Sequence, residues 1–289
     1  VVDHIFALRE IQAESDDHGK ETVVLFIDFK QAYDKVKRYE LYRTLQEFGV
    51  SPKIRRLVKM SLTKTENRIK MKGKTSAKFT ATAGLRQGDP LSSLLFNFIL
   101  EAVIRDSNIH RSGLLYNKKH QCLAFADDIA VLTRSKEELK RIVKELEKIA
   151  RNKGLEINEA KTKFMAWTDT DYQKNNHLKV MLHGGKTFKF DEVERFTYLG
   201  SVIGRKPGCK EEIQARLMSA NRCMYALNNF LKSKIISKKL KIRIYKTVIR
   251  PIATFASESW TLTKTDLTML EIWERKALRS IYGGKKVDE

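Results

Sequence analysis

The segment LAFADDIAVLT, residues 123–133, places two adjacent aspartates inside an otherwise apolar, strand-like run. Neighbouring side chains on a strand point to opposite faces, so Asp127 and Asp128 can serve one site only if the backbone turns there. Two like charges at this separation repel, and burying an unpaired carboxylate costs several kcal/mol. The segment therefore predicts a tight hairpin with both aspartates at its tip, either exposed there or neutralised by a strongly positive partner.

A second apolar strand with an acid, TVVLFIDFKQAYD at residues 22–34, supplies a third carboxylate at Asp28. If this strand pairs with the hairpin, Asp28, Asp127 and Asp128 converge at one edge of a sheet. Mg²⁺ prefers oxygen ligands, and two-metal phosphoryl transfer needs carboxylates around ions about 3.5–4 Å apart. Each aspartate alone is more simply a strand-end or turn residue; the combination favours a metal centre.

The charge balance also indicates the kind of partner. The 289 residues include 56 Lys and Arg against 35 Asp and Glu, a net charge of +21 with 42 % hydrophobic residues. This excess predicts a polyanionic partner, with nucleic acid first and an anionic membrane surface second. The simpler alternative is a basic surface that only keeps the protein in solution.

Cysteine usage and hydropathy indicate the cellular compartment in which the protein is expected. Cys122, Cys209 and Cys223 form neither a C-x-x-C pair nor a zinc spacing, and we expect no signal peptide. Because no apolar run reaches membrane-spanning length, we expect a soluble intracellular protein without membrane association. The chain starts without Met inside a helical pattern, so we expect it to be a piece of a longer protein.

Periodicity and capping residues predict an alternation of helices and strands. Asp89 and Pro90 are typical of an N-cap and the first position of a helix, and Ser135 with Glu138 predicts a capping box. Gly154 is expected just past the end of that second helix. The remaining expectations are a helix at about 2–14, a strand at 22–29, helices to about 64, a hairpin at 67–82, short strands in 154–167 and 193–203, a boundary near 205, and basic helices from about 209.

Five stretches in order resemble the motifs of reverse transcriptases, specifically those of non-LTR (LINE-like) retrotransposons. LAFADDIAVL is similar to the palm signature in its Phe-Ala-Asp-Asp form. The others are FIDFKQAYDKV, similar to the companion palm motif; GLRQGDPLSSLLFNFILE, similar to the Gln-Gly-x-Pro-Leu-Ser element; GLEINEAKTKFM, similar to the lysine-bearing motif; and FTYLGSVI, similar to the primer-grip strand. The C-terminal region resembles the part that follows the palm in retrotransposon proteins of animals.

The resemblance implies an α+β fold and a division of the chain. Residues 1–204 would form a right-hand polymerase palm, an antiparallel sheet with packed helices, with partial fingers. Residues 205–289 would form a basic, helical, thumb-like or connection region. Fingers segments that precede the opening helix in full-length relatives are expected to be missing.

The resemblance also implies roles in the active site. Asp28, Asp127 and Asp128, with the backbone carbonyl of Phe29, would bind two Mg²⁺ ions, for which Mn²⁺ is an alternative. Lys161 takes the position of the lysine to which protonation of pyrophosphate is attributed; a plain surface lysine and Lys163 remain rivals.

Further residues would hold the nucleotide. Tyr33 would lie under the sugar of the incoming nucleotide and exclude ribonucleotides; a core tyrosine is the alternative. Gln87 and Gly88 would meet the templating base pair and Arg86 a phosphate, unless this loop only starts the helix at Pro90.

The basic C-terminal helices would contact nucleic-acid phosphates without reading sequence. The residues expected to include such contacts are Arg216, Arg222, Lys232, Lys234, Lys238, Lys239, Lys241 and Arg243. Trp260 and Trp273 are expected in the core.

The implied function is RNA-directed DNA polymerisation, with an RNA template, a DNA or RNA primer and dNTPs. The alternative is a transposon-derived, non-catalytic nucleic-acid-binding scaffold or an inactive fragment. Action in the nucleus is the family expectation, and the oligomeric state is left open.

Overall fold

The computed structural model describes residues 1–63, 65–107, 109, 122–168 and 176–283. The chain forms two compact units. The first, here called the sheet unit, comprises residues 20–193, and the second, the helical unit, comprises residues 1–19 and 194–289. The boundary differs from the expected division near 204, because the first helix and residues 194–204 group with the C-terminal helices.

The elements alternate along the chain as the periodicity predicts. Up to the gap after residue 109 they are α1 (Val2–Asp17), β1 (Thr22–Ile27), α2 (Ala32–Lys35), α3 (Arg38–Glu47), α4 (Pro52–Leu62), β2 (Glu66–Asn67), β3 (Lys70–Met71), β4 (Lys74–Thr75), β5 (Phe79–Thr80) and α5 (Pro90–Asp106). From residue 122 they are β6 (Cys122–Phe125), β7 (Asp128–Thr133), α6 (Lys136–Lys153), β8 (Lys163–Trp167), β9 (His177–Met181), β10 (Thr187–Glu192), β11 (Arg195–Tyr198), β12 (Ser201–Gly204), α7 (Lys210–Ala226), α8 (Asn228–Lys232), α9 (Lys238–Ile244), a π-helical turn (Tyr245–Ile249), α10 (Arg250–Ala253), a 3₁₀ turn (Ser257–Ser259) and α11 (Lys264–Tyr282).

A six-stranded sheet in the order β6-β7-β1-β8-β10-β9 forms the frame of the sheet unit. Strand β1 lies at its centre and pairs antiparallel with β7 on one side and β8 on the other. Among the strand pairs of this sheet that the structure describes, β8 and β10 run parallel and the others antiparallel. All six residues of β1 are buried, as expected for an apolar strand covered on both faces.

Helix α6 packs on this sheet through an apolar stripe, and α5 packs beside α6. Leu139, Ile142 and Leu146 of α6 are buried against Leu25 and Ile129 of the sheet core. The hydroxyl of Ser135 accepts a bond from the Glu138 amide, and Gly154 ends the helix in the left-handed region. This packing fixes the strands whose ends carry the aspartates.

The predicted hairpin at 67–82 is confirmed as two short ladders. β2 pairs with β5, and β3 pairs with β4. The predicted start of α5 is also confirmed, since the Asp89 carboxylate accepts a bond from the Leu91 amide at 3.0 Å. The hairpin β9–β10 of the central sheet was not predicted from the sequence.

The helical unit has its own apolar core around Trp273, Leu217 and Ile213. Trp273 is buried, as expected, and its indole nitrogen donates to Asn221 Oδ1 at 3.0 Å. Trp260 is partly buried against the same core, again as expected. Among the described residues, no helix combines the length and the apolar character needed to cross a bilayer.

Helix α1 belongs to the helical unit because of buried polar contacts that sequence periodicity does not reveal. The Arg9 guanidinium donates to the Gly208 carbonyl at 3.1 Å and to Cys209 Sγ at 3.0 Å. Gln12 donates to the Gly204 carbonyl at 2.7 Å. These bonds satisfy polar groups that would be costly to bury alone, and so they hold α1 against β12 and the segment after it.

Candidate active site

Strand pairing brings the ends carrying the three aspartates to one edge of the sheet. Ile27 of β1 faces Ile129 of β7, so Asp28 and Asp128 are the next residues toward the same edge. Phe125 pairs with Asp128 across the β6–β7 hairpin, which leaves Ala126 and Asp127 as its two-residue turn. Ala126 adopts φ +50°, a left-handed conformation that lets the chain reverse this sharply. The expected tight hairpin with Asp127 and Asp128 at its tip is present.

The three carboxylates influence one another electrostatically. The pKa of Asp128 is raised above its usual value, mainly because the surrounding protein removes part of its water. The charges of Asp127 and Asp28 add to this shift because they disfavour a third ionised carboxylate nearby. A divalent cation would relieve that repulsion, and three carboxylates are a suitable set of hard oxygen donors for it.

The aspartates do not form a closed cage. Within the described ranges, no three side chains of the His, Cys, Asp or Glu type are grouped closely enough to hold a metal ion as they stand. The donor types fit magnesium, and the open arrangement leaves room for substrate oxygens among the ligands.

Asp28 also forms hydrogen bonds with the segment that follows α6. Asn158 donates from Nδ2 to Asp28 Oδ2 at 3.0 Å and from its main-chain amide to the Asp28 carbonyl at 2.8 Å. The amide of Asp28 donates to Thr162 Oγ1 at 3.2 Å. None of these contacts to Asn158 or Thr162 was expected from the sequence, because the residues lie more than a hundred positions apart.

The two candidate lysines of this segment lie in different surroundings. Lys161 Nζ is 3.9 Å from Asp28 Oδ2, and its side chain is 71 % exposed. Lys163, the first residue of β8, instead forms an ion pair of 2.6 Å with Asp191. Lys161 therefore lies beside Asp28 with a largely exposed side chain, whereas Lys163 is paired with Asp191.

Two further lysines share one carboxylate next to this site. Lys30 and Lys35 each donate to Glu156 at 2.7 Å, one to each carboxylate oxygen. These bonds hold the pKa of Glu156 at about 2. Glu156 thus joins the loop after Asp28 to the segment that carries Asn158, a link that the sequence analysis missed.

Phe29 and Tyr33 both contribute their rings to the core of the sheet unit. Phe29 is buried and forms an isolated β-bridge with Ile157. Tyr33 is partly buried, and its ring stacks on Phe96 with centroids 4.7 Å apart and an interplanar angle of 22°. The packing role anticipated as the alternative for Tyr33 is therefore present.

Arg86, Gln87 and Gly88 form an exposed turn before α5. Gly88 adopts φ +88°, and apart from its two chain neighbours no described residue has an atom within 4 Å of the place where a Cβ would be. A left-handed φ favours glycine, and the open space beside it leaves room for another molecule. Gly84, not singled out from the sequence, packs directly on the backbone of Asp34.

The basic residues of the helical unit divide into two groups. Exposed are Arg222, Lys232, Lys234, Lys238, Lys239 and Arg243. Arg216, by contrast, bonds Glu212 at 2.7 Å and the Gly200 carbonyl, and its guanidinium lies 4.3 Å from the centroid of the Phe255 ring. Lys241 is buried. Because Arg216 is engaged within the unit and Lys241 is buried, these two are less suited to the expected phosphate contacts than the six exposed cations.

Known proteins share both the sequence pattern and the fold. The family described as reverse transcriptase (RNA-dependent DNA polymerase) matches residues 2–203. A Pol polyprotein of the type-1 retrotransposable element R2 from Nasonia vitripennis is 28 % identical over 63 % of this chain, and one from Popillia japonica is 29 % identical over 46 %. The chain spans 18 % and 21 % of the length of these relatives.

Apo telomerase from Candida tropicalis has a similar fold, with a TM-score of 0.52 and 14 % identity. The match covers 97 % of this chain and 50 % of that chain. It agrees with the expected α+β palm, built on an antiparallel-rich sheet. The family match covers more than half of the chain and includes the strands that carry Asp28, Asp127 and Asp128. The chain belongs to the reverse transcriptase family, as its resemblance to non-LTR retrotransposon proteins implied.

Proposed function

We propose that the chain is the polymerase core of an RNA-directed DNA polymerase, with Asp28, Asp127 and Asp128 as ligands of two Mg²⁺ ions. The observation that carries this proposal is the register of β1 and β7, which places Asp28 beside the aspartate hairpin. Two Mg²⁺ ions bound there would lower the pKa of the primer 3′-hydroxyl and balance the charge of the triphosphate.

Backbone direction supports Phe29 as a further ligand. Carbonyl groups alternate in direction along an extended strand, and the Asp28 carbonyl already accepts the Asn158 amide. We therefore expect the Phe29 carbonyl on the opposite side, which is the side of the Asp127–Asp128 hairpin. An acceptor in that position adds an uncharged oxygen to a site that already carries three negative charges.

The side chains around the aspartates would act on the primer and the nucleotide. The primer 3′-oxygen attacks the α-phosphorus, and the bond to pyrophosphate breaks. Lys161, close to Asp28 and largely exposed, would donate a proton to the departing pyrophosphate. Charge balance and alignment by fixed groups would supply most of the acceleration.

We assign nucleotide selection to the ring of Tyr33 and to the exposed turn before α5. Tyr33, held by Phe96, would present a rigid edge to the sugar and exclude a 2′-hydroxyl. Gln87 and Gly88 would meet the templating base pair, for which the open space at Gly88 leaves room. Arg86, exposed on the same turn, would contact a phosphate.

The exposed cations of the helical unit are the proposed contact surface for an RNA template and a DNA or RNA primer. Arg222 and Lys276 line a groove of about 520 Å³, together with Tyr225, which is 84 % exposed. Cations beside an exposed ring suit phosphates and a base, respectively. The nucleus is the proposed place of action.

Primer extension on poly(rA)/oligo(dT) with Mg²⁺ and dTTP tests the catalytic function. The parent is expected to extend the primer, whereas Asp127→Asn and Asp128→Asn should not, although both should bind the template as well as the parent does. Template binding without extension by the parent would contradict catalysis. That result would favour the second candidate, a non-catalytic scaffold that uses the same basic surface.

A further inference from the structure

The polar groups of Asp28 are bonded almost completely by one short segment. Its amide bonds Thr162, its carbonyl accepts the Asn158 amide, and its Oδ2 accepts Asn158 Nδ2 at 3.0 Å. No described residue donates to Oδ1. The segment therefore holds both the backbone and one carboxylate oxygen of Asp28, while the other oxygen stays available.

Asn158 makes two of these contacts, and they have different consequences. The main-chain bond of 2.8 Å persists whatever side chain stands at position 158. Of the two Asn158 contacts, only the side-chain bond restrains rotation of the carboxylate, because it ties one of the two oxygens to a donor. A substitution can therefore remove the restraint on the carboxylate while the backbone link remains.

A restraint of this kind matters next to other negative charges. Partial burial, and then the charges of Asp127 and Asp28, raise the pKa of Asp128, so the Asp128 carboxylate is repelled by both of its neighbours. A free Asp28 side chain could rotate away from that repulsion. A neutral amide donor stabilises the carboxylate in one orientation without competing for the cation, whereas the Lys161 ammonium would compete.

We propose that Asn158 is a positioning residue that orients the Asp28 carboxylate, so that Oδ1 is presented to the divalent cation. The inference rests on the proposed function, in which Asp28 is a metal ligand. Residues that bond a metal-ligating side chain usually change metal affinity or activity by about 10- to 100-fold when they are removed. Asn158 is expected to act through Asp28 alone.

The test measures Mn²⁺ binding by electron paramagnetic resonance on the full chain, with no nucleic acid present. Asn158→Ala is expected to weaken Mn²⁺ binding at the site by about 10-fold or more. Asn158→Leu, which keeps a branched shape but lacks the donor, should do the same, while Asn158→Gln should retain part of the affinity. Asn152→Ala, at an exposed asparagine of α6, is the matched control and should bind like the parent.

Asp28→Asn and the Asp28→Asn/Asn158→Ala double variant separate this inference from the proposed function. If Asp28→Asn binds Mn²⁺ like the parent, Asp28 is not a ligand and the proposed function fails. If Asp28→Asn loses binding but Asn158→Ala and Asn158→Leu do not, the positioning role is wrong and the metal site stands. The double variant should bind no more weakly than Asp28→Asn; a further loss would show that Asn158 acts elsewhere. Thermal unfolding of each variant confirms that the compared proteins are folded.

Discussion

Gly84 lies so close to Asp34 that a Cβ atom at position 84 would come within 2.5 Å of the Asp34 carbonyl oxygen. The contact continues on both sides, since the Gly84 amide bonds the Val36 carbonyl at 2.9 Å and the Leu85 amide bonds the Tyr33 carbonyl at 2.8 Å. The loop that leads into the exposed turn before α5 is therefore fixed on the segment that follows Asp28. Both loops of the proposed nucleotide site share one backbone support.

Replacing Gly84 with alanine is expected to destabilise the fold by roughly 3 kcal/mol, from the backbone clash together with the strained φ of +81°. Gly73→Ala is the matched control, because Gly73 has φ +79° but open space around it. Its cost should be only about 1 kcal/mol. Urea unfolding of the two variants measures the difference, and equal losses would mean that the close approach to Asp34 is unimportant.

The pairing of Glu156 with Lys30 and Lys35 predicts a pH-dependent stability. The folded-state pKa of about 2 lies below the ordinary value of 4.5, so the stabilisation is present above pH 4.5 and lost as the pH falls toward 2. Because the Glu156 side chain is 39 % exposed, solvent screens the pair, and Glu156→Gln should cost only about 1 kcal/mol at pH 7. Urea unfolding at pH 7 and pH 3 should show that cost shrinking; a constant difference would contradict the ion pairs.

The aspartate arrangement could be predicted because local signals agree with one another. An apolar strand that ends in an acid and an apolar hairpin with two acids both require a sheet edge, and β1 and β7 pair there. The unpredicted hairpin β9–β10 had a signal too. Buried Leu178, Val180, Phe188 and Phe190 alternate with less buried positions around Gly184 and Gly185, a pattern typical of a hairpin.

Other contacts leave no mark in a single sequence. Asn158 and Asp28 are 130 positions apart, and each is an ordinary polar residue in its own segment. The same is true of Arg9, whose partner Gly208 is 199 positions away. Local propensity does not specify which donor meets which acceptor over such separations, so these bonds emerge only from the folded chain.

Because Lys161 and Lys163 lie in different surroundings, we expect their replacement by alanine to change the rate of primer extension differently. Lys161→Ala should reduce the rate of single-turnover primer extension by about 10²-fold or more, since a positioned proton donor is lost. Lys163→Ala removes the ion pair with Asp191 and should leave the rate near that of the parent. Rapid-quench measurement at saturating dNTP compares them. An equal loss in both variants would point to general electrostatics rather than proton donation.

The proposed position of the Tyr33 ring predicts that this residue selects deoxynucleotides over ribonucleotides. Tyr33→Ala should raise ribonucleotide incorporation by about 10-fold or more relative to deoxynucleotides, because one extra group in a closely fitting pocket changes discrimination by about 1–3 kcal/mol. Tyr33→Phe keeps the ring and its stacking on Phe96, so it should retain the selectivity. The ratio of kcat/KM for dTTP and UTP checks this. An unchanged ratio in the alanine variant would leave Tyr33 with a packing role only.

The exposure of the lysine side chains on α9 predicts which of them bind nucleic acid. Lys238 and Lys239 are exposed, whereas Lys241 on the same helix is 7 % exposed. Lys238→Ala/Lys239→Ala should weaken binding of a poly(rA)/oligo(dT) duplex and reduce the slope of log affinity against log salt by about 1 to 2. Lys241→Ala should leave that slope unchanged and lower the unfolding temperature instead. Fluorescence anisotropy across a salt series measures the slopes; a reduction with Lys241→Ala but none with the double variant would place the contact surface elsewhere.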